Sequence, residues 1–283
     1  MESPRCVDAA KAGCGEGLLW DAGRGRVWWV DISGEALHGF DPATGASTRQ
    51  PLPCLIAALA LRDDGALLIA TARGLGLVAP GTGEIETLHD PEPESPGNRL
   101  NDMIAGPDGA LWVGTMSEGA QGPTGALYRY DGDGPQVQMR GTTISNGLGW
   151  SPDGARLYFI DSVPGVLHVR EEGRWRALRR FDETTGKPDG LTVDAEGTLW
   201  VAICDRGRVL GLRPDGEIVA QIDLPCEIVT NCCFGGADLR TLYITTGTFS
   251  MSEAEKAANP LAGGLFAVDM AVPGMLPHAA RWP

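Results

Sequence analysis

At 283 residues, with 43% hydrophobic content, 40 Gly and 20 Pro, the chain has ample apolar side chains for a core and many sites for tight turns. A net charge of −14 with no basic stripe excludes a nucleic-acid partner, and no apolar run approaches the roughly 20 residues that span a bilayer. The opening MESPRCVDAAK lacks the apolar stretch of a secretory signal, and the seven cysteines have no metal-type spacing. They read as reduced thiols acting as small buried hydrophobes in a cytoplasmic protein, with no protein partner evident.

Taken in chain order, one phrase recurs six times: a short apolar strand, a turn on Asp-Gly or its equivalent, then an aromatic or aliphatic pair. The copies are LLWDAGRGRVWWV around Trp28, LALRDDGALLIAT around Leu68, MIAGPDGALWVGT around Trp112, LGWSPDGARLYFI around Tyr158, LTVDAEGTLWVAI around Trp200 and CCFGGADLRTLYIT around Tyr243. The anchors are 40, 44, 46, 42 and 43 residues apart. Such a period, built from strands joined by Gly turns, is that of propeller blades, none of which buries its faces alone. After each anchor comes a third alternating run closed by a turn, GEALHGFDPATG in the first copy and GGLFAVDMAVPG in the last.

The expectation is an all-β chain, a single six-bladed β-propeller domain over residues 1–283 with a central metal site. Each blade has an inner, a middle, a third and an outer strand. Residues Cys6 to Ala10 are expected to supply the outer strand of the last blade, joining both termini there and removing the exposed edges of an open ring. Trp28, Trp29, Trp112 and Trp200 fall where neighbouring sheets stack. Two longer connections, PEPESPGNRLND and TGTFSMSEAEKAANPLAGG, read as functional loops. Within the second, a short helix is expected, with Ser252 as N-cap and Glu255 completing a capping box.

Eleven or twelve residues before each anchor stand Glu16, Ala57, Asn101, Asn146, Asp189 and Asn231. Singly, an Asn or Asp followed by Gly is a turn signal. Together, five oxygen-bearing residues at one phase of a propeller ring one mouth of its channel. Two carboxylates and several amides converging there repel unless a cation sits among them. Oxygen donors suit calcium foremost, then magnesium or manganese, with zinc and iron(II) left open. Ala57, with no polar group, leaves its side of the mouth for substrate. His38 and His168 share a phase of the third strand, which the repeat itself explains, while His89 falls in a loop and His278 in the tail. No Gly-x-Ser-x-Gly elbow or Cys-His pair occupies the channel phase, which argues against a serine or cysteine nucleophile.

The phrases GEGLLW, NRLND, GTMSE, ISNGLGWSPDG and KPDGLTVDAEGTLW, in this order along nearly the whole chain, resemble the SMP-30/gluconolactonase/luciferin-regenerating-enzyme family of six-bladed propellers, most closely its bacterial sugar-acid lactonases. The resemblance implies that Glu16, Asn146 and Asp189 hold one divalent cation and that Asp189 is also the catalytic base. It implies that Arg99, Asn101 and Glu118 contact a small-molecule sugar lactone, a pentono- or hexonolactone, with Asp102 beside the metal site. Arg99 has the structural alternative of pairing with Glu92 and Glu94, and Glu118 that of a solvated loop acid. Two other functions share this architecture: a hydrolase of organophosphate triesters, and a non-enzymatic calcium-binding propeller.

Overall fold

A computed structural model describes residues 3–132 and 134–282 of the chain. Each of the six repeats folds into its own antiparallel sheet, and the sheets follow one another as the blades of a six-bladed β-propeller. Blade one shows the pattern, with strands Gly15–Asp21, Arg26–Asp31, Ala36–Asp41 and Ala46–Pro51 hydrogen-bonded in chain order. Its first three strands are almost wholly buried and the fourth is exposed along nearly its whole length. That gradient follows from composition: LLW, VWWV and ALHGF face neighbouring blades, whereas ASTRQP carries the polar residues that water requires.

The anchor aromatics lie between blades, as the repeat predicts. Trp28 packs with Leu59 and Ile69 of blade two, Trp112 with Leu148 and Leu157 of blade four, and Trp200 with Phe234 and Leu242 of blade six. Trp29 joins Tyr243 and Leu265 where blade six meets blade one. The Asp of the turn phrase both shapes the turn and holds an indole. Asp194 accepts from the Glu196 and Thr198 amides, and its other oxygen accepts from Trp200 Nε1 at 3.0 Å. Asp21 likewise accepts from Trp28 Nε1 at 3.2 Å. His38 stacks on Trp29 and His168 against Phe159, each opposite its partner in the ladder, so the shared histidine phase is structural. His89 is not in a loop but ends the strand Ile85–His89, its ring Nδ1 3.1 Å from the Tyr130 hydroxyl.

The ring closes as expected. Arg5–Asp8 pairs antiparallel with Leu265–Asp269 and completes the sheet of blade six. The segment after Asp269 is more than the short remnant the repeat suggests. It bridges to Asp194 of blade five at Gly274, and Ala279–Ala280 then adds a parallel strand beside Leu61 and Arg62 of blade two. This tail crosses one end of the channel, where Met275 to His278 help line a chamber of about 130 Å³. The helix Glu253–Ala258 carries the expected capping box, Ser252 accepting from the Glu255 amide and Glu255 accepting from that of Ser252. No helix among the described residues is long and apolar enough to cross a membrane.

Candidate metal centre

All six inner strands slip register against their middle neighbours at one height. The slips fall between Glu16 and Leu19, Ile56 and Ala58, Leu100 and Met103, Asn146 and Leu148, Pro188 and Leu191, and Val229 and Asn231. A β-bulge leaves a residue out of the ladder and re-aims its side chain, so the six-fold repeat of the bulge presents one set of side chains to the channel. The glycines after Asn146 and Asp189 serve this packing rather than a turn. A Cβ on Gly147 would lie 2.5 Å from the Asp189 carbonyl oxygen, and one on Gly190 would lie 2.5 Å from Asn231 Cγ. Only glycine lets the inner strands approach so closely.

Glu16, Asn101, Asn146 and Asp189, from four different blades, line one cavity of about 300 Å³ together with Arg99. The four are between 6% and 9% exposed. Asn146 Nδ2 donates to Asp189 Oδ1 and to Ser162 Oγ. Asn101 Nδ2 donates to Asn146 Oδ1 at 3.3 Å and to the Ser145 carbonyl at 2.9 Å, and Arg99 Nη1 donates to Asn101 Oδ1 at 2.8 Å. On the opposite side Asn231 Nδ2 donates to Glu16 Oε2 at 2.8 Å, while Glu16 Oε1 accepts no hydrogen bond among the described residues. Asn231 therefore holds a carboxylate, a task the sequence left unassigned.

Burial pushes Asp189 up to about 7; Asp102 adds to the rise, while the Cys204 thiol, Lys187 and Asn146 oppose it. Burial, then the charges of Asp189 and Asp102, push Glu16 well above the ordinary carboxylate range. Two carboxylates buried this close are poorly placed to ionise together, and a divalent cation between them reverses that balance. The donor chemistry fits such an ion: two carboxylates and an amide, all hard oxygen ligands, beside space for further ligands. Ligation through the Asn146 carbonyl oxygen requires a half-turn of its amide, which exchanges acceptor and donor without moving the backbone. Among the described residues no three of His, Cys, Asp and Glu gather as a metal cluster.

The remaining expected residues divide. Arg99 lies on the cavity and has no ion pair with Glu92 or Glu94; Glu92 instead accepts from Asn98, Thr115 and Tyr128. Glu118 does not line the cavity; it lies 3.3 Å from Arg73, with about half its side chain exposed. Asp102 lines the chamber on the tail side, not this cavity; burial pushes it up to about 6, against a hydrogen bond from the Met103 amide. Ala57, 3% exposed, does not line the cavity, so the room expected on its side is not there. All seven cysteines are free, but only Cys226 and Cys232 are fully buried, and the half-buried Cys14 and Cys204 line the cavity. Sequence reasoning missed these two thiols, and also Lys187 and the half-exposed Phe249. Lys187 stands two residues before Asp189, and Phe249 lies within the long connection already marked as a functional loop.

Comparison with known proteins places this architecture. The model of the SMP-30/gluconolactonase/LRE-like region matches residues 14–248. The chain belongs to that family. It is 36% identical to pentonolactonase XacC of Haloferax volcanii over 97% of this chain and 96% of that protein. It is 35% identical to the 6-deoxy-6-sulfogluconolactonase of Pseudomonas putida, over 96% and 97%. The crystal structure of a calcium-binding protein, regucalcin, from Agrobacterium tumefaciens superposes with a TM-score of 0.93 at 30% identity, over 99% of this chain and 98% of that one.

Proposed function

We propose that the chain is a metal-dependent lactonase that opens a sugar lactone to its aldonic acid, at a site formed by Glu16, Asn146, Asp189, Arg99 and Asn101. One observation carries this reading: two carboxylates and two amides from four blades meet at one cavity, and a guanidinium hydrogen-bonds into the same network. The names of the lactonase relatives agree with it. Glu16, Asn146 and Asp189 would hold one divalent cation, calcium foremost. When bound, that cation supplies a Lewis acid for the carbonyl oxygen of the ester.

The chain's own groups divide the remaining work. Asp189 would take the proton of the attacking water, coordination keeping its carboxylate ionised and aligned for that role. Asn231 and the Gly17 amide fix Glu16 through Oε2 and leave Oε1 without a hydrogen bond among the described residues, free for the ion. Arg99 spends Nη1 on Asn101 and the Leu100 carbonyl, while its other nitrogens make no hydrogen bond among the described residues and can orient sugar hydroxyls. Glu118, paired with Arg73 and outside the cavity lining, would meet only the far end of a sugar.

Lactone hydrolysis followed by proton release tests the reading. Chelation should abolish turnover and added calcium or manganese should restore it; activity indifferent to chelation rejects metal dependence. Asp189→Asn keeps an oxygen donor and loses the base, so turnover should fall by about 10²–10⁴-fold. Near-normal turnover in that variant removes Asp189 from its role.

A further inference from the structure

Two cationic side chains line the cavity beside the carboxylates that would hold the ion, and the opening of a neutral lactone gives Lys187 no task. Arg99 and Lys187 both line it, and neither has a carboxylate within ion-pair distance among the described residues. The Lys187 side chain makes no hydrogen bond there; only its main-chain amide does, to Asp205 Oδ1 at 2.7 Å. Two nearby carboxylates have ion pairs of their own, Glu118 with Arg73 at 3.3 Å and Asp205 with Arg206 at 3.2 Å, although the Glu118 charge also reaches Arg99. Asp102 faces the chamber on the tail side. With Glu16 and Asp189 balanced by a divalent ion, Arg99 and Lys187 would be left as the cationic side chains of the cavity lining. In a chain of net charge −14 this is a local reversal of sign.

We propose that the substrate is an anionic sugar lactone, one whose sugar carries a carboxylate, sulfonate or phosphate away from the ester, and that Lys187 with Arg99 receives that group. This rests on the lactonase reading and names its substrate class. The exposed ammonium and the guanidinium with free nitrogens line the same cavity, and each is a donor an oxyanion bound there can use. Because Lys187 is exposed, its contribution is screened by salt.

The γ-lactones of glucaric and gluconic acid make a matched test, since they differ only in a terminal carboxylate against a hydroxymethyl group. On the calcium-loaded protein at low salt, kcat/KM for the glucaric lactone should exceed that for the gluconic lactone by about tenfold or more, the scale of a hydrogen bond to a charged group. That ratio should fall as salt is raised. Lys187→Gln should bring it toward one and Lys187→Arg should restore it. If both lactones are opened and the ratio is one or below, or is indifferent to Lys187→Gln, the inference is overturned while the lactonase reading stands. If neither is opened, the lactonase reading falls, and calorimetry on the same calcium-loaded protein decides the charge question: glucarate binding no tighter than gluconate overturns it as well.

Discussion

At Glu16 and Asp189 the side chains that would hold a cation are held by neighbouring amides, Glu16 by Asn231 and Asp189 by Asn146. Asn231 has little freedom of its own, because its Oδ1 accepts from the Cys232 amide, whereas the Asn146 amide would turn over to present its oxygen to the ion. A second buried residue gives a test of how burial governs charge. His38 is 2% exposed, stacked at 4.0 Å on Trp29, with no hydrogen-bond partner for Nε2 among the described residues. Burial lowers its pKa from the ordinary 6.5; Asp8 and Asp31 oppose the shift and Arg49 adds to it. The folded chain thus takes this proton less readily than the unfolded one. The stability His38 contributes is present above the unfolded pKa and is lost as pH falls below it. Denaturant titrations at about pH 7 and about pH 5.5 should show wild type losing more stability on acidification than His38→Leu. Equal losses would mean that His38 titrates as it does in water.

The inner strand is the element that builds the site, and its design is only half visible in the sequence. The blade count, the strand order within a blade, the N-terminal strand in blade six and the capped helix at Ser252 were legible because each follows from a local pattern. The polar phase from Glu16 to Asn231 was legible because a repeat makes equivalent positions comparable. The bulges were not, since a register slip depends on two strands at once. Nor was the role of Gly147 and Gly190, whose Asn-Gly and Asp-Gly pairs look like turns until the neighbouring strand is in place. The path of the tail and the thiols of Cys14 and Cys204 on the cavity likewise depend on contacts between distant segments. Gly190→Ala should cost about 1–3 kcal/mol through overpacking against Asn231 and should weaken cation binding by displacing the residue that holds Glu16. Thermal unfolding and calcium titration of the variant check both effects, and unchanged values in both would show that the inner strands can spread at no cost.

For the molecule as a whole, the blades depend on ring closure. Each large inter-blade cluster draws side chains from two neighbours, and the contact of blade six with blade one is secured by Trp29, Tyr243 and Leu265 and by the Thr230 hydroxyl on the Gly15 carbonyl. We propose that the ring unfolds as one domain. Removing the segment through Ala10 deletes the strand Arg5–Asp8 and exposes the edge of Leu265–Asp269. At about 1 kcal/mol for each of roughly three ladder hydrogen bonds, the loss is about 3 kcal/mol, with a drop in melting temperature of roughly 6–12 °C. Calorimetry showing an unchanged melting temperature would mean that this strand does not fasten the ring.

The central claim is that one cation is held jointly by residues distant in sequence. Its most direct measurement is calorimetric titration of calcium into chelator-treated protein, for wild type, Glu16→Gln and Asp189→Asn side by side. The expected result is one ion per chain for wild type and a loss of at least about 100-fold in affinity for each variant, since each removes a buried charge from the ligand set. Binding of equal strength in all three proteins would contradict the account.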